Sequence, residues 1–188
     1  MEYDKLNNQK QLVGKLKLEK PAEVLFEGAD TNIFKETKEV SDDLKKQFSK
    51  IDEDFCFLFV GHWLQGNMGE DRKDIGMLLR VFYNLFKDKK DAPALILKTS
   101  GASFSVIDRN ETMKKIDTIK KTIKAKKLPN VYLIHGDLSD TEMNQMYNHP
   151  KVKAHVTFTH GEGFGRPLLE ASFSGKPILA PVSTGQAD

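Results

Sequence analysis

Five short apolar runs constrain this chain more than any other feature: FCFLFV (55–60), PALILKT (93–99), NVYLIHG (130–136), AHVTFTH (154–160) and PILAPV (177–182). Each has the length of a strand and is apolar nearly throughout, as expected of strands covered on both faces. The segments between them have helical period. In 74–86, Ile75, Leu78, Leu79, Phe82, Leu85 and Phe86 follow the i, i+3, i+4, i+7 rule and predict one buried stripe. In 111–127 the stripe is narrower, Met113, Ile116, Ile119 and Ile123, with lysines on the other faces. Ser139 followed by Glu142 is a capping box that opens a short helix through Tyr147. Pro167 marks the first turn of a last helix, which runs to about Phe173 before Gly175 breaks it.

Strands alternating with helices predict an α/β fold, a Rossmann-like doubly wound parallel sheet over 55–188. In such sheets ligands bind where strands end and helices begin, which directs attention to 61–73, 99–107, 136–140, 160–166 and 183–187. Residues 1–54 read as a linker and lead-in strapped to the sheet. Val24-Leu25-Phe26 is expected as one short strand, 27–30 as a turn, and 41–49 as a polar helix with Leu44 and Phe48 on one side. The chain stops just after a strand, where the pattern calls for another helix, so it reads as cut at that end.

Composition removes other classes. A chain of 188 residues can bury roughly 70% of its unfolded surface, so no disulfide or metal staple is required. The single cysteine, Cys56, lies inside an apolar strand and reads as an inert buried thiol, which fits a reducing, cytoplasmic setting. No signal peptide or membrane span is visible. The net charge is only +2, and the excess is concentrated in 108–127, where Arg109 and seven lysines stand against Asp108, Glu111 and Asp117. Nucleic-acid readers intersperse aromatic or Arg residues among their cations, and this cluster does not, so no nucleic-acid partner is expected. A solvated helix face is the plain reading, with a weak anionic contact such as a membrane surface as the alternative.

The segment with most chemical content is THGEGFGRPLLEA (159–171). A strand runs into a glycine-rich turn and then a helix, an arrangement suited to an anion such as a diphosphate. Glu162 in the turn and Glu170 in the helix are poor phosphate ligands but good acceptors of hydroxyl hydrogen bonds, so the pattern suits a ligand carrying both phosphates and sugar hydroxyls. The residues alone equally allow Glu162 to be a helix-end partner and Glu170 a solvated side chain.

Glu162 and Glu170, seven residues apart within HGEGFGRPLLEASFSGKPILAP, resemble the E-x7-E segment of retaining GT-B glycosyltransferases of the group 1, or family 4, type. The resemblance extends over most of the chain. KPAEVLFEGADTNIF resembles the linker into that family's C-terminal domain, with Glu27 at a usual Asn, and FLFVG (57–61) its first strand. DRKDIGMLLRVF resembles the cationic loop and its helix, and VYLIHGDLSDTEMNQMY the strand and helix beside the base pocket.

The resemblance implies one half of a GT-B architecture, using a nucleotide-diphosphate sugar as co-substrate with no other cofactor. Glu162 would contact the donor sugar and, with Arg72 and Lys73, form the catalytic set, the two cations neutralising the departing diphosphate. Gly163, Phe164 and Gly165 would face sugar and diphosphate, Glu170 the ribose, and His135, Gly136 and Leu138 the base. Gly61 and His62 stand where many members have Gly-Arg, so one cation is absent or titrates with pH. The family's N-terminal acceptor domain is missing, so this chain is expected to be the donor-binding half and to transfer nothing alone.

Metal chemistry is not expected, because Asp52-Glu53-Asp54 precedes a strand instead of following one, and His155 and His160 are placed on opposite strand faces. No P-loop, dinucleotide fingerprint or serine elbow is present. A nucleotide- or anion-binding module without chemistry, or a related epimerase or phosphorylase, remains the alternative.

Overall fold

The computed structural model describes residues 2–6, 11–17, 19–21, 23, 25–64 and 70–186. The chain opens with an antiparallel pair, β1 (Glu2–Leu6) and β2 (Leu12–Lys17), then α1 (Asp42–Phe48), β3 (Cys56–Val60), α2 (Ile75–Phe86) and β4 (Ala94–Lys98). It continues through α3 (Val106–Thr122), β5 (Val131–Ile134), α4 (Asp140–Asn148), β6 (Val152–Val156), α5 (Arg166–Ser172), β7 (Ile178–Leu179) and a 3-10 turn (Thr184–Gln186). The five predicted strands are β3 to β7, all parallel, in the order β5-β4-β3-β6-β7.

Helices cover both faces. On one, α1, α4 and α5 bring Leu44, Phe48, Met146, Tyr147 and Ala171 against Cys56, Leu58, Ala94, Ile96 and Ile134. On the other, α2 and α3 bring Ile75, Leu78, Leu79, Phe82, Ile116 and Ile119 against Phe59, Leu95 and Leu97. Alternate residues of each strand serve alternate faces, and each fully buried large side chain contributes about 1.5–3 kcal/mol. Burial pushes the Cys56 thiol up to about 11, and the side chain is inert at neutral pH. A bulge where β6 pairs with β3 moves the register from Cys56↔Val152 to Phe57↔Ala154. One extra residue reverses the alternation, and His155 is thereby turned onto the α4 face, its ring 5.4 Å from that of Tyr147.

Several expectations need adjustment. The lysine-rich helix lies at 106–122, not 111–127, because Ser105 caps it by accepting from the Asp108 amide. Leu25 and Phe26 are exposed and lie outside any strand, and Val24 is outside the described residues. The β1–β2 pair was not foreseen. Phe34, Leu44, Phe48 and Ile51 are buried in the main core, so the stretch after residue 30 packs as part of the sheet's cover. Asp52-Glu53-Asp54 does lie before β3, and Glu53 accepts from Asn130 and from the Tyr132 hydroxyl at 2.8 and 3.0 Å. Among the described residues, no helix is long and apolar enough to cross a membrane.

Candidate functional site

The sheet order places the switch point between β3 and β6: after β3 the chain builds outward through β4 and β5, then returns to lay β6 on β3's other side. The loops leaving β3 and β6 therefore diverge to opposite faces and open a crevice between them. Arg72 and Lys73 lie on the loop from β3 to α2, and Glu162 on the turn from β6 to α5. These loops meet although their residues are about 90 positions apart. Lys73 Nζ donates to Glu162 Oε1, and Arg72 Nη1 donates to Oε2 at 3.1 Å and to the Gly161 carbonyl at 2.7 Å. The Lys73 and Glu162 side chains are each only 10% exposed. Burial by itself would raise the Glu162 pKa, but hydrogen bonding and charge from Lys73, with help from Thr159 and Arg72, hold it below the ordinary carboxylate value.

Gly61 ends β3 beneath this pair. A Cβ there would press on the Phe59 ring at 3.0 Å, while Lys73 Cε at 3.5 Å would be in ordinary van der Waals contact with it. His62 is turned toward β4 instead, its Nδ1 3.2 Å from Ser100 Oγ. Gly163, Phe164 and Gly165 form the turn after Glu162, and Gly165 caps α5 in the left-handed region at φ 84°. Thr184 Oγ1 accepts from the Glu162 amide at 2.9 Å, and the Gly185 amide donates to the Glu162 carbonyl at 3.1 Å. A Cβ on Gly185 would collide with the Gly163 carbonyl.

Glu170 lies on α5, buried, with both carboxylate oxygens engaged. Tyr147 donates its hydroxyl to Oε2 at 3.0 Å and Arg166 its Nε to Oε1 at 2.7 Å. His135, Gly136 and Leu138 form a separate group after β5. His135 Nε2 is 2.8 Å from Asp108 Oδ2, and Lys98 Nζ donates to the Gly136 carbonyl at 2.6 Å while lying over the Phe104 ring. Gly136 has φ 127°, and a Cβ there would meet nothing within 4 Å. Desolvation lowers the Lys98 pKa.

The structure thus joins Arg72, Lys73 and Glu162 into one cluster and leaves Glu170 and the His135 group as two further sets. Sequence reasoning missed Asp74, Lys98, Asp108, His160 and Thr184. The signal available for them was position, since all five fall in or beside the segments that follow strands. No group of three or more metal-ligating side chains is found among the described residues.

A parallel five-strand sheet with helices on both faces matches the Rossmann-like half of a GT-B architecture. The chain belongs to the glycosyl transferases group 1 family, whose model matches residues 40–188. The C-terminal domain of a glycosyl transferase group 1 family protein (LpcC) from Francisella tularensis has TM-score 0.53 and 16% identity, over 84% of this chain and 72% of that one. An E. coli structure described as trehalose-6-phosphate bound with UDP-2-fluoro glucose has TM-score 0.54 and 9% identity, over 79% and 34%. An α,α-trehalose-phosphate synthase (UDP-forming) from Burkholderia xenovorans has TM-score 0.55 and 9% identity, over 78% and 33%. The chain spans about a third of the length of the last two, and at these identities the likeness is one of fold. No curated protein matches the sequence.

Proposed function

We propose that this chain is the donor-binding half of a retaining glycosyltransferase that uses a nucleotide-diphosphate sugar, acting together with an acceptor domain. The observation that carries the reading is the meeting of Arg72 and Lys73 with Glu162 at the switch point of a group 1 family domain. The two cations take the diphosphate, where negative charge grows as the sugar departs, and fixed positive charge lowers the barrier there. Glu162, kept ionised by those cations, is an acceptor for sugar hydroxyls. Gly163, Phe164 and Gly165 let main chain approach the sugar and diphosphate, and His62 follows β3 with its ring against Ser100.

Glu170 accepts from the ribose, its oxygens oriented by Tyr147 and Arg166. Gly136, where a Cβ would meet nothing within 4 Å, receives the base together with His135 and Leu138. The UDP-2-fluoro glucose held by one structure of similar fold supports a nucleotide sugar as the ligand class.

Calorimetric titration with UDP, GDP and ADP and their sugars tests the reading. Lys73→Ala should weaken the diphosphate that binds by about 1.5–3 kcal/mol, the worth of a hydrogen bond to a charged group, and leave the nucleoside unaffected. Glu170→Ala should weaken the ribonucleotide but not its 2′,3′-dideoxy counterpart. Wild-type protein that binds none of these ligands refutes the donor-site assignment.

A further inference from the structure

Asp74 begins α2 in an unusual way. Its backbone is left-handed, with φ 48° and ψ 42°, and its side chain makes no hydrogen bond to the helix amides, the ordinary work of an aspartate there. Asp71 faces those amides instead, Oδ1 lying 3.4 Å from the Lys73 N–H nitrogen and Oδ2 3.5 Å from that of Ile75. The Asp74 carboxylate, 8% exposed, points across the crevice, with Oδ2 3.1 Å from Nε2 of His160. His160 stands two residues before Glu162. Its backbone N–H donates to the Arg72 carbonyl at 2.8 Å, and the Thr159 hydroxyl lies 3.2 Å from the same oxygen.

The two loops that carry the cations and the carboxylate are thus tied by contacts within three residues of Arg72, Lys73 and Glu162. The His160 side chain is more than half exposed, so the contact with Asp74 does not serve core packing. A left-handed non-glycine residue persists only where its surroundings over-determine it, and such residues gather at functional sites. The Nε2–H of an imidazole can donate to that carboxylate.

We propose that Asp74 and His160 form a latch across the crevice, as positioning residues that hold Arg72 and Lys73 in register with Glu162 before ligand arrives. The latch rests on the donor-site reading above. Its benefit is preorganisation, because cations already in place lose less freedom when a diphosphate binds.

The experiment compares wild type with His160→Phe, His160→Gln, Asp74→Gly and the double variant His160→Phe/Asp74→Gly. Glycine tolerates the left-handed backbone, so Asp74→Gly removes the carboxylate without adding strain. UDP, GDP, ADP and uridine are titrated by calorimetry, and hydrogen exchange is followed at 71–74 and 159–162. The expected result is a loss of about tenfold in diphosphate affinity for His160→Phe and for Asp74→Gly, the scale of one charged hydrogen bond, with unchanged uridine binding. The double variant should lose no more than either single one, His160→Gln should stay within about threefold of wild type as a retained donor, and exchange should quicken at both segments. Wild-type affinity in both single variants, multiplying losses in the double variant, or unchanged exchange would overturn the latch. Should wild type bind no diphosphate, the donor-site reading falls and the exchange measurement alone decides. Should one variant fail to fold, the other single variant and His160→Gln decide.

Discussion

Replacing Glu162 by glutamine removes a charge from the centre of the cluster while keeping shape. In the free protein, Lys73 and Arg72 both donate to this carboxylate, and Lys73 and Glu162 are largely withdrawn from water. A diphosphate that uses the same two cations must compete with Glu162 for them. Glutamine competes as a neutral acceptor, so the energy of about one charged hydrogen bond, 1.5–3 kcal/mol, becomes available to the incoming phosphates. That corresponds to a gain of about 10- to 100-fold in nucleoside diphosphate affinity, the lower end being expected because the amide oxygen still accepts. The nucleotide sugar should gain less than the diphosphate, since its hydroxyls lose the ionised acceptor. Without ligand, the lysine is left in a nearly buried site without its counter-charge, and stability should fall by about 2–3 kcal/mol. Calorimetry with each diphosphate and its sugar, beside urea unfolding at pH 7.5, measures both effects. Diphosphate affinity that is unchanged or weaker, in a variant still folded at the titration temperature, would refute the competition and with it the shared use of the two cations.

Burial, with the charge of Lys176 nearby, lowers the His155 pKa to about 4, and burial with Lys176 and Lys151 does the same for His149. An unfolded imidazole protonates near 6.5, so the unfolded chain binds more protons below that pH. Stability should decline as pH falls from about 6.5 to about 4, by about 3 kcal/mol for the almost fully buried His155. His155→Phe should flatten that decline in urea titrations across the range, and an unaltered slope would show that the acid sensitivity lies elsewhere. Phe48→Ala should cost about 3–5 kcal/mol by urea unfolding, because its ring is buried between α1 and the core and stacks on His149 at 3.7 Å; a loss under about 1 kcal/mol would place 42–48 outside the cooperative unit. Gly185→Ala should push the 184–186 turn off the glycine-rich turn and weaken diphosphate binding with little change in melting temperature, and wild-type affinity would show that the turn does not support the site.

Much of this architecture is written in local patterns. Strand and helix identity follow from the spacing of apolar residues along a few turns or pleats, which is why β3, β4, β5 and α2 fall close to where their runs predict, whereas β6, at Val152–Val156, lies ahead of its run at 154–160. The capping box at Ser139 is equally local and is present as expected. Helix α3 is misplaced by apolar spacing because its start is set by one hydrogen bond at Ser105, while Val106 and Ile107 at its first turn remain exposed. The β1–β2 pair has no clear period-2 apolar pattern to announce it. Arg72, Lys73 and Glu162 could be named from the sequence by resemblance, but not shown to touch. Their meeting depends on β6 returning to the free side of β3, a long-range choice made by how the whole sheet buries its faces. The same is true of Asp74 facing His160. It is true also of His155, whose direction was set by one bulged residue in β6 pairing with β3. Local chemistry determined which elements form, and tertiary packing decided which of their loops share a crevice, because contacts between residues far apart in the chain exist only after the strands between them have been ordered.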